Sequence, residues 1–306
     1  MYLRYTPVPN MPLGRNTFRL KLPSRTLVLG ERTLVMGVLN VTPDSFSDGG
    51  KFIDPQSAIE HALEMEQGGA DLLDIGGEST RPGSTGTAAE TELARILPVL
   101  EGLRGALKIP IAVDTRKSEV AEAAISAGAQ IINDISGLRF DPRIAEVAHR
   151  RDVPLILMHM RGEPATMQKG PFARNVMKDV VQGLRASIKK ARAAGVRKSK
   201  IIIDPGIGFG KSFEQNYELL RKLPELAKLG YPLVVGTSRK GFLGATLVRN
   251  GEPAPPEERL WATAATVTAS ILGGAHIVRV HDVAEMGQVA RVADCVLDSA
   301  GCRSFR

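Results

Sequence analysis

Three side chains that could bind a planar heterocycle each follow a short apolar run in this sequence: Asp114, Asn133 and Asp204. A carboxylate accepts two hydrogen bonds from a pair of neighbouring N–H donors, and charge-assisted bonds of this kind contribute about 1.5 to 3 kcal/mol each. Together the three side chains would suit a flat ring that carries amidine-like N–H donors and a carbonyl. Each also has a structural alternative, since Asp114 could cap a helix beginning near Lys117 and Asn133 could stabilise a turn.

A second set of side chains would bind anions. Arg279 and His281 lie two residues apart, so on a strand they point to the same side. A basic pair of this kind is suited to a phosphate or a diphosphate. The alternative is a salt bridge from Arg279 to Asp282 or Asp74. A zinc site at His281 is disfavoured, because His159 is the only other histidine directly after an apolar run and no His-x-His spacing occurs.

A polar segment follows the first apolar run and reads Asn40-Val-Thr-Pro-Asp-Ser-Phe-Ser-Asp-Gly-Gly50. It is too rich in hydrogen-bonding side chains and glycine to be a simple connection. Asn40 offers a neutral oxygen ligand, which is enough for Mg²⁺ only if the ion keeps most of its waters and also binds substrate phosphates. We therefore expect a Mg²⁺ ion that arrives with the substrate.

These side chains need elements that bring them together, and the sequence predicts strands that alternate with helices. Short aliphatic strands, each followed by a helix, pair in parallel and are buried on both faces. Eight such units favour a closed (β/α)8 TIM barrel over an open doubly wound sheet, and in a barrel the residues after each strand converge at one mouth. The eight apolar runs are Leu34 to Leu39, Leu72 to Ile75, Ile109 to Val113, Gln130 to Ile132, Pro154 to Met158, Lys200 to Ile203, Pro232 to Val235 and Ala275 to Val280.

The segments between these runs have the spacing of amphipathic helices. An α/β barrel has about 250 residues, so the 306-residue chain is divided into an N-terminal hairpin extension, residues 1–30, and a barrel, residues 31–306. The hairpin strands are predicted at Phe18 to Leu22 and Thr26 to Leu29. The predicted helices are Pro55 to Gly68, Glu90 to Leu103, Ser118 to Ala127, Asn175 to Ala194, Glu214 to Leu229, Pro256 to Leu272 and Val283 to Ala300.

Composition restricts the partners and the location. With 43% hydrophobic and 24% charged residues, no apolar stretch of about 20 residues and no signal-peptide pattern, we expect a cytoplasmic protein without a membrane partner. The net charge of +7 includes a basic stretch from Arg185 to Lys200. It lacks aromatic residues, which favours a solvated helix face over a nucleic-acid site and suits an anionic small substrate. Cys295 and Cys302 are predicted to be reduced.

Five segments, in this order, resemble bacterial dihydropteroate synthase, and the resemblance covers roughly residues 34 to 290. It implies a (β/α)8 barrel, usually a dimer, that joins 6-hydroxymethyl-7,8-dihydropterin diphosphate to p-aminobenzoate and releases diphosphate in folate biosynthesis. Members of that family are sulfonamide targets. The N-terminal 30 residues match no motif of the family. The five segments are Asn40 to Gly50, Asp74 to Gly83, Asp204 to Lys211, Ser238 to Lys240 and Arg279 to Val283.

The resemblance also implies a role for each matching residue. The pterin-binding residues would be Asp114, Asn133, Asp204, Lys240, Met158 and Phe209. The diphosphate would contact Asn40, Arg279 and His281, and Asn40 would also contact Mg²⁺. The p-aminobenzoate-binding residues would be Thr80, Arg81, Pro82, Ser238, Lys240 and Phe46. Asp44 or Asp48 would polarise the amine or hold the closed loop.

In the mechanism that the resemblance implies, diphosphate leaves first and a pterin methylene cation forms. Closure of the loops Asn40 to Gly50 and Gly76 to Gly86 would then exclude water, which would otherwise trap the cation. One rival function is a methyltetrahydrofolate methyltransferase, which has no use for a diphosphate site. The other is a non-catalytic pterin-binding paralogue, which would not need Phe46, Arg81 or Lys240.

Overall fold

A ring of eight parallel strands forms the centre of the structure, which is a computed structural model that describes residues 15–42, 54–79, 83–84, 86–163 and 165–297. The strands are β1 Phe18–Lys21, β2 Thr26–Leu29, β3 Leu34–Asn40, β4 Leu72–Gly76, β5 Ile111–Asp114, β6 Ile131–Asp134, β7 Leu155–Met158, β8 Ile201–Asp204, β9 Val234–Val235 and β10 Ile277–Val280. The strand order in the ring is β8-β7-β6-β5-β4-β3-β10-β9, and a parallel bridge between Ile203 and Leu233 closes the ring between β8 and β9. The predicted (β/α)8 barrel is confirmed.

Helices connect the strands and cover the outside of the ring. The prediction missed the helices Ile144–Arg150 and Gly241–Thr246, because seven- and six-residue helices are too short to show a clear 3.6-residue period. The helix predicted from Glu214 to Leu229 is interrupted at Lys222, just before Pro224. The helices are α1 Pro55–Gln67, α2 Ala89–Leu103, α3 Ser118–Ser126, α4 Ile144–Arg150, α5 Val176–Ala193, α6 Phe213–Arg221, α7 Leu223–Ala227, α8 Gly241–Thr246, α9 Leu260–Leu272 and α10 Val283–Leu297.

Strand alternation decides which side chains face the inside of the barrel. One apolar layer fills the N-terminal half of the interior, and its strand members are Leu34, Met36, Leu72, Ala112, Ile131, Ile156, Ile202, Val234 and Ile277. Because side chains two residues apart share a face, the next interior layer lies two residues further along each strand. From β3 to β10 its members are Val38, Asp74, Asp114, Asn133, Met158, Asp204, Gly236 and Arg279. The second layer is therefore mostly polar.

The N-terminal hairpin seals the N-terminal end of the barrel. Strands β1 and β2 pair antiparallel, with Phe18 opposite Leu29, as the sequence predicted. Leu20, Leu22 and Leu29 are buried against the apolar layer of the barrel interior. Burial of a leucine side chain contributes about 1.5 to 3 kcal/mol, so the hairpin supplies part of the barrel's own core.

The predictions about membrane spans, the basic stretch and the cysteines can be compared with the structure. In the described ranges no helix is both long and apolar enough to cross a membrane, and the cytoplasmic location stays a prediction. The basic residues from Arg185 to Lys200 are exposed, except for the buried Lys200. The prediction of a reduced Cys295 was wrong, because this residue is disulfide-bonded. A disulfide requires that two sulfurs meet and that an oxidant takes up two electrons, neither of which composition reveals. The other cysteine, Cys302, lies outside the described residues.

Candidate active site

Arg279 lies between two carboxylates in the second interior layer. Its Nε is 2.5 Å from Asp74 Oδ2, and its Nη2 donates to Asp114 Oδ2 at 2.9 Å. The Asn133 amide also donates to Asp74 Oδ2, at 2.9 Å. The alternative of a salt bridge from Arg279 to Asp74 is therefore correct, whereas Asp282 pairs with another arginine. These contacts join strands β4, β5, β6 and β10.

The structural alternatives for Asp114 and Asn133 are not observed. Helix α3 begins at Ser118, whose N–H donates to Asp141 Oδ2 at 3.0 Å, so Asp141 rather than Asp114 satisfies that helix end. Asn133 contacts the Asp74 side chain across the barrel rather than its own turn. Burial raises the pKa of Asp114 above its ordinary value, and the Asp74 carboxylate adds to the shift.

Asp74 is a candidate functional residue to which sequence reasoning assigned no site role. Its side chain is 0% exposed, and its Oδ1 has no hydrogen-bond partner among the described residues. A buried carboxylate oxygen without a donor is costly, which is typical of a site that a ligand completes. The sequence carried a usable signal, because Asp74 follows the interior Leu72 by two residues.

The loop after β8 holds Asp204 and depends on its glycines. Asp204 Oδ1 accepts a hydrogen bond from the Gly206 N–H at 2.6 Å, and burial raises the pKa of Asp204 to about 6. Gly206 and Gly210 have φ values of +65° and +66°. A Cβ at Gly206 would lie 1.9 Å from the His159 carbonyl oxygen. These glycines therefore allow the loop to approach the segment after β7.

Lys211 ends this loop and is another residue to which sequence reasoning gave no role. It is 1% exposed, and its Nζ donates to the carbonyls of Gly206 at 2.8 Å and Phe209 at 2.9 Å. It also donates to the His159 carbonyl, at 3.2 Å. Burial lowers the pKa of Lys211 to about 7. The amine thus ties the loop after β8 to the segment after β7.

An apolar wall lies beside these groups. Met158 and Phe209 belong to one buried cluster, as the resemblance implied for residues that contact the faces of a ring. The Lys240 Nζ lies 4.0 Å from the centroid of the Phe209 ring, which is a cation–π contact. Burial lowers the pKa of Lys240 to about 8. An ammonium group and an aromatic face therefore lie at one edge of the site.

His281 is a neutral hydrogen-bonding group in the ligand-free protein, although the sequence predicted a basic pair. Burial, followed by the charge of Arg279, lowers the pKa of His281 to about 3. Its Nδ1 lies 3.0 Å from the Ser238 hydroxyl oxygen, and its backbone N–H donates to the same oxygen at 3.2 Å. Ser238 thus connects the loop after β9 with the end of β10.

A cavity of about 1020 Å³ opens at the C-terminal mouth of the barrel. Six residues of the predicted site line it: Asn40, Phe209, Ser238, Lys240, Arg279 and His281. Four more are buried in the second interior layer: Asp114, Asn133, Met158 and Asp204. The structure places these ten at the mouth of the barrel or in the layer beneath it, and their roles stay predictions. The remaining six lie outside the described residues: Asp44, Phe46, Asp48, Thr80, Arg81 and Pro82.

Asn40 is the predicted metal ligand, and it ends β3 at the wall of the cavity. Within the described ranges, no group of three or more histidine, cysteine, aspartate or glutamate side chains could hold a metal ion. A single amide oxygen fits Mg²⁺ that keeps its waters and is bound mainly by phosphate oxygens. The residues present therefore fit a metal that comes with an anionic substrate.

Comparison with known proteins decides the family. Residues 36–281 match the family described as pterin binding enzyme. A dihydropteroate synthase from a Synechocystis species is 48% identical over 292 residues, which is 95% of this chain and 96% of that relative. This chain belongs to the dihydropteroate synthase family. The resemblance of the five sequence segments is thereby confirmed.

Solved dihydropteroate synthase structures have the same fold. The Xanthomonas albilineans enzyme with 4-aminobenzoic acid is 42% identical, with a TM-score of 0.85, and the match covers 92% of this chain and 99% of that one. A structure of the enzyme from the same organism in complex with 7,8-dihydropteroate is 40% identical, with a TM-score of 0.81 and the same coverage. The agreement extends over most of the described barrel.

Proposed function

We propose that this chain is a dihydropteroate synthase that condenses 6-hydroxymethyl-7,8-dihydropterin diphosphate with p-aminobenzoate. The products are 7,8-dihydropteroate and diphosphate, in folate synthesis. The observation that carries the proposal is the position of Arg279 and His281, which line the same cavity as Lys240, while Arg279 shares the second interior layer with Asp204 and Asn133. A substrate that joins a ring with N–H donors to a diphosphate would find acceptors for the ring and hydrogen-bond donors for the diphosphate at this site.

The ring is held by groups that differ in hydrogen-bonding character. Asp204 has one oxygen bonded to Gly206, which leaves the other to accept from the N–H donors of the pterin. Asn133 supplies an amide, and Lys240 donates to ring acceptors. Met158 and Phe209 contact the faces of the ring. These roles are supported by the place of Asp204, Asn133 and Met158 in the second layer and by the buried cluster that joins Met158 to Phe209.

Departure of diphosphate needs stabilisation of negative charge more than it needs a base. Arg279 donates N–H groups to the leaving oxygens, and His281, neutral at pH 7, donates its one ring N–H to them. A Mg²⁺ ion bound by Asn40 and the diphosphate would neutralise part of the charge that develops on the leaving group. The C–O bond breaks, and the amine nitrogen then forms the C–N bond and loses a proton.

The second substrate approaches from the mouth of the cavity. Ser238 and Lys240 line this part of the wall, and Thr80, Arg81, Pro82 and Phe46 are proposed to complete the p-aminobenzoate subsite. Asp44 or Asp48 is proposed to assist the amine or to hold the closed loop. Neither a methyltransferase nor a non-catalytic paralogue would need this combination of an anion site and a second substrate subsite.

The proposal is tested with the purified protein, Mg²⁺ and both substrates. We expect one diphosphate released for each dihydropteroate formed, and no turnover after Mg²⁺ is removed with EDTA. Benzoate in place of p-aminobenzoate is the control, because it keeps the carboxylate but lacks the nucleophilic amine. No diphosphate release with both substrates present would refute the proposal. Equal release with benzoate would indicate hydrolysis instead of condensation.

The pH dependence of kcat/KM for the pterin substrate should be bell-shaped. Below about pH 6, Asp204 gains a proton and no longer accepts as a carboxylate, and above about pH 8, Lys240 loses its charge. Steady-state rates between pH 5 and 10 measure both limbs. Lys240→Arg keeps its charge throughout this range, so the part of the alkaline limb that comes from Lys240, near pH 8, should disappear. An unchanged alkaline limb in that variant would contradict the assignment to Lys240.

We also propose that the enzyme is a homodimer through α9 and α10, which pack side by side. Three large apolar side chains on these helices are exposed: Trp261, Val292 and Val296. Light scattering after size exclusion should give twice the chain mass, and Trp261→Asp should shift the protein toward monomer. Phe140→Asp, at an exposed apolar residue outside both helices, is the control and should leave the mass unchanged. A monomeric native protein would refute the dimer.

A further inference from the structure

Arg279 is shared between the two halves of the proposed substrate site. Its Nη2 donates to Asp114, which belongs to the pterin half, while Arg279 itself belongs to the diphosphate half. The Asp114 oxygen that accepts from the guanidinium has one acceptor position fewer for the ring. The Nη2 hydrogen that is bonded to Asp114 is, likewise, not available to phosphate oxygens. The contact between Arg279 and Asp114 therefore competes with both parts of the substrate for these positions.

The two bonds of Arg279 differ in how firmly they are held. Asp74 is fully buried, and the same oxygen that accepts from Arg279 Nε also accepts from Asn133. The Nε is the guanidinium nitrogen closest to the backbone, and Nη2 is at the end of the side chain. Arg279 also lines the cavity. The Nη2 end can thus change partner while Nε stays on Asp74.

We propose that Asp74 is a positioning residue that holds Arg279 through Nε, while Nη2 exchanges Asp114 for the diphosphate once the pterin ring has bound to Asp114. This inference rests on the proposed function and specifies how its two subsites communicate. The ring frees an arginine donor for the anion, and the anion removes a competitor of the ring. By linkage, each part must strengthen the binding of the other by the same factor.

Calorimetric titration of the full chain tests the exchange without turnover. Pyrophosphate with Mg²⁺ is titrated in the absence and presence of 6-hydroxymethylpterin, and the ring should tighten pyrophosphate binding on the order of tenfold. Asp114→Asn cannot form the ion pair, so this variant should bind pyrophosphate without the ring about as tightly as the native protein does with it. Equal affinity with and without the ring in the native protein overturns the proposal.

Asp204→Asn is the matched control for charge. It removes another buried carboxylate from the same mouth, but Asp204 has no bond to Arg279 among the described residues. Its ring-free pyrophosphate affinity should rise much less than that of Asp114→Asn, since among the described residues Nη2 donates to Asp114 and not to Asp204. If Asp204→Asn gains as much affinity as Asp114→Asn, the effect is general electrostatics and the exchange is refuted.

Asp74→Asn tests the positioning role. The affinity of this variant for pyrophosphate should fall at least tenfold with and without the ring, while its affinity for 6-hydroxymethylpterin changes much less. General unfolding would lower both affinities together. Equal loss of both would overturn the role. If this variant does not fold, the titrations of the native protein still decide the exchange. A protein that turns over but shows uncoupled binding refutes this inference alone, whereas absence of turnover refutes the proposed function.

Discussion

Replacing Asp204 with asparagine is expected to lower kcat/KM for the pterin diphosphate by about 10²- to 10⁴-fold. The carboxylate would accept two charge-assisted bonds from the ring, each contributing about 1.5 to 3 kcal/mol, and about 1.4 kcal/mol corresponds to a factor of ten. An asparagine would accept the Gly206 N–H with its oxygen and turn its NH₂ group toward the ring donors. Steady-state kinetics with p-aminobenzoate at saturation measure the loss.

Asp134→Asn is the control for this prediction. Asp134 is also a fully buried carboxylate at a strand end, but Ser136 and Leu138 of its own loop satisfy both of its oxygens. This variant should lose stability while its KM for the pterin substrate stays within a few fold of native. Equal kinetic losses at both positions would mean that any buried carboxylate at the mouth matters, and the specific role of Asp204 would be wrong.

Replacing Lys211 with methionine is expected to damage both the stability and the ring subsite. Three buried carbonyls, those of Gly206, Phe209 and His159, would lose their donor. The free energy of unfolding should fall by about 3 to 5 kcal/mol. Because the loop also positions Phe209 and Asp204, kcat/KM for the pterin substrate should fall on the order of 10²-fold. Urea unfolding and steady-state kinetics measure the two effects.

Lys200→Met separates these two effects. Lys200 is also buried, and its Nζ donates to the carbonyls of Lys21 at 2.7 Å and Asp152 at 2.6 Å, at the opposite end of the barrel. We expect a comparable loss of stability, with kcat/KM near the native value under conditions where the protein is folded. If both variants lose kcat/KM to the same extent, Lys211 acts only through global stability.

Much of the fold and part of the site follow from strand alternation in the sequence. The aliphatic runs that predict β4, β6 and β8 also place Asp74, Asn133 and Asp204 inside the barrel, because each follows an interior residue by two positions. A local period of two is enough for that inference. The same rule would have identified Asp74 as a site residue.

The partners of long side chains could not be predicted in this way. Arg279 can reach several carboxylates, and only the register of β10 beside β3 determines that it contacts Asp74 and Asp114. The neutral state of His281 depends on burial, which no local pattern reveals. The contacts of Lys211 could not be predicted for a similar reason, since its partners are backbone carbonyls, which carry no sequence signal.

The N-terminal hairpin restricts the route by which a ligand can enter the barrel. Leu20, Leu22 and Leu29 fill the N-terminal end, so the barrel interior is closed at that end. Asp204, the proposed ring-binding carboxylate, lies two residues beyond Ile202, a side chain that packs against this seal. If both substrates of the proposed reaction use the C-terminal mouth, we expect the pterin to enter before p-aminobenzoate and the joined product to leave with its pterin end last.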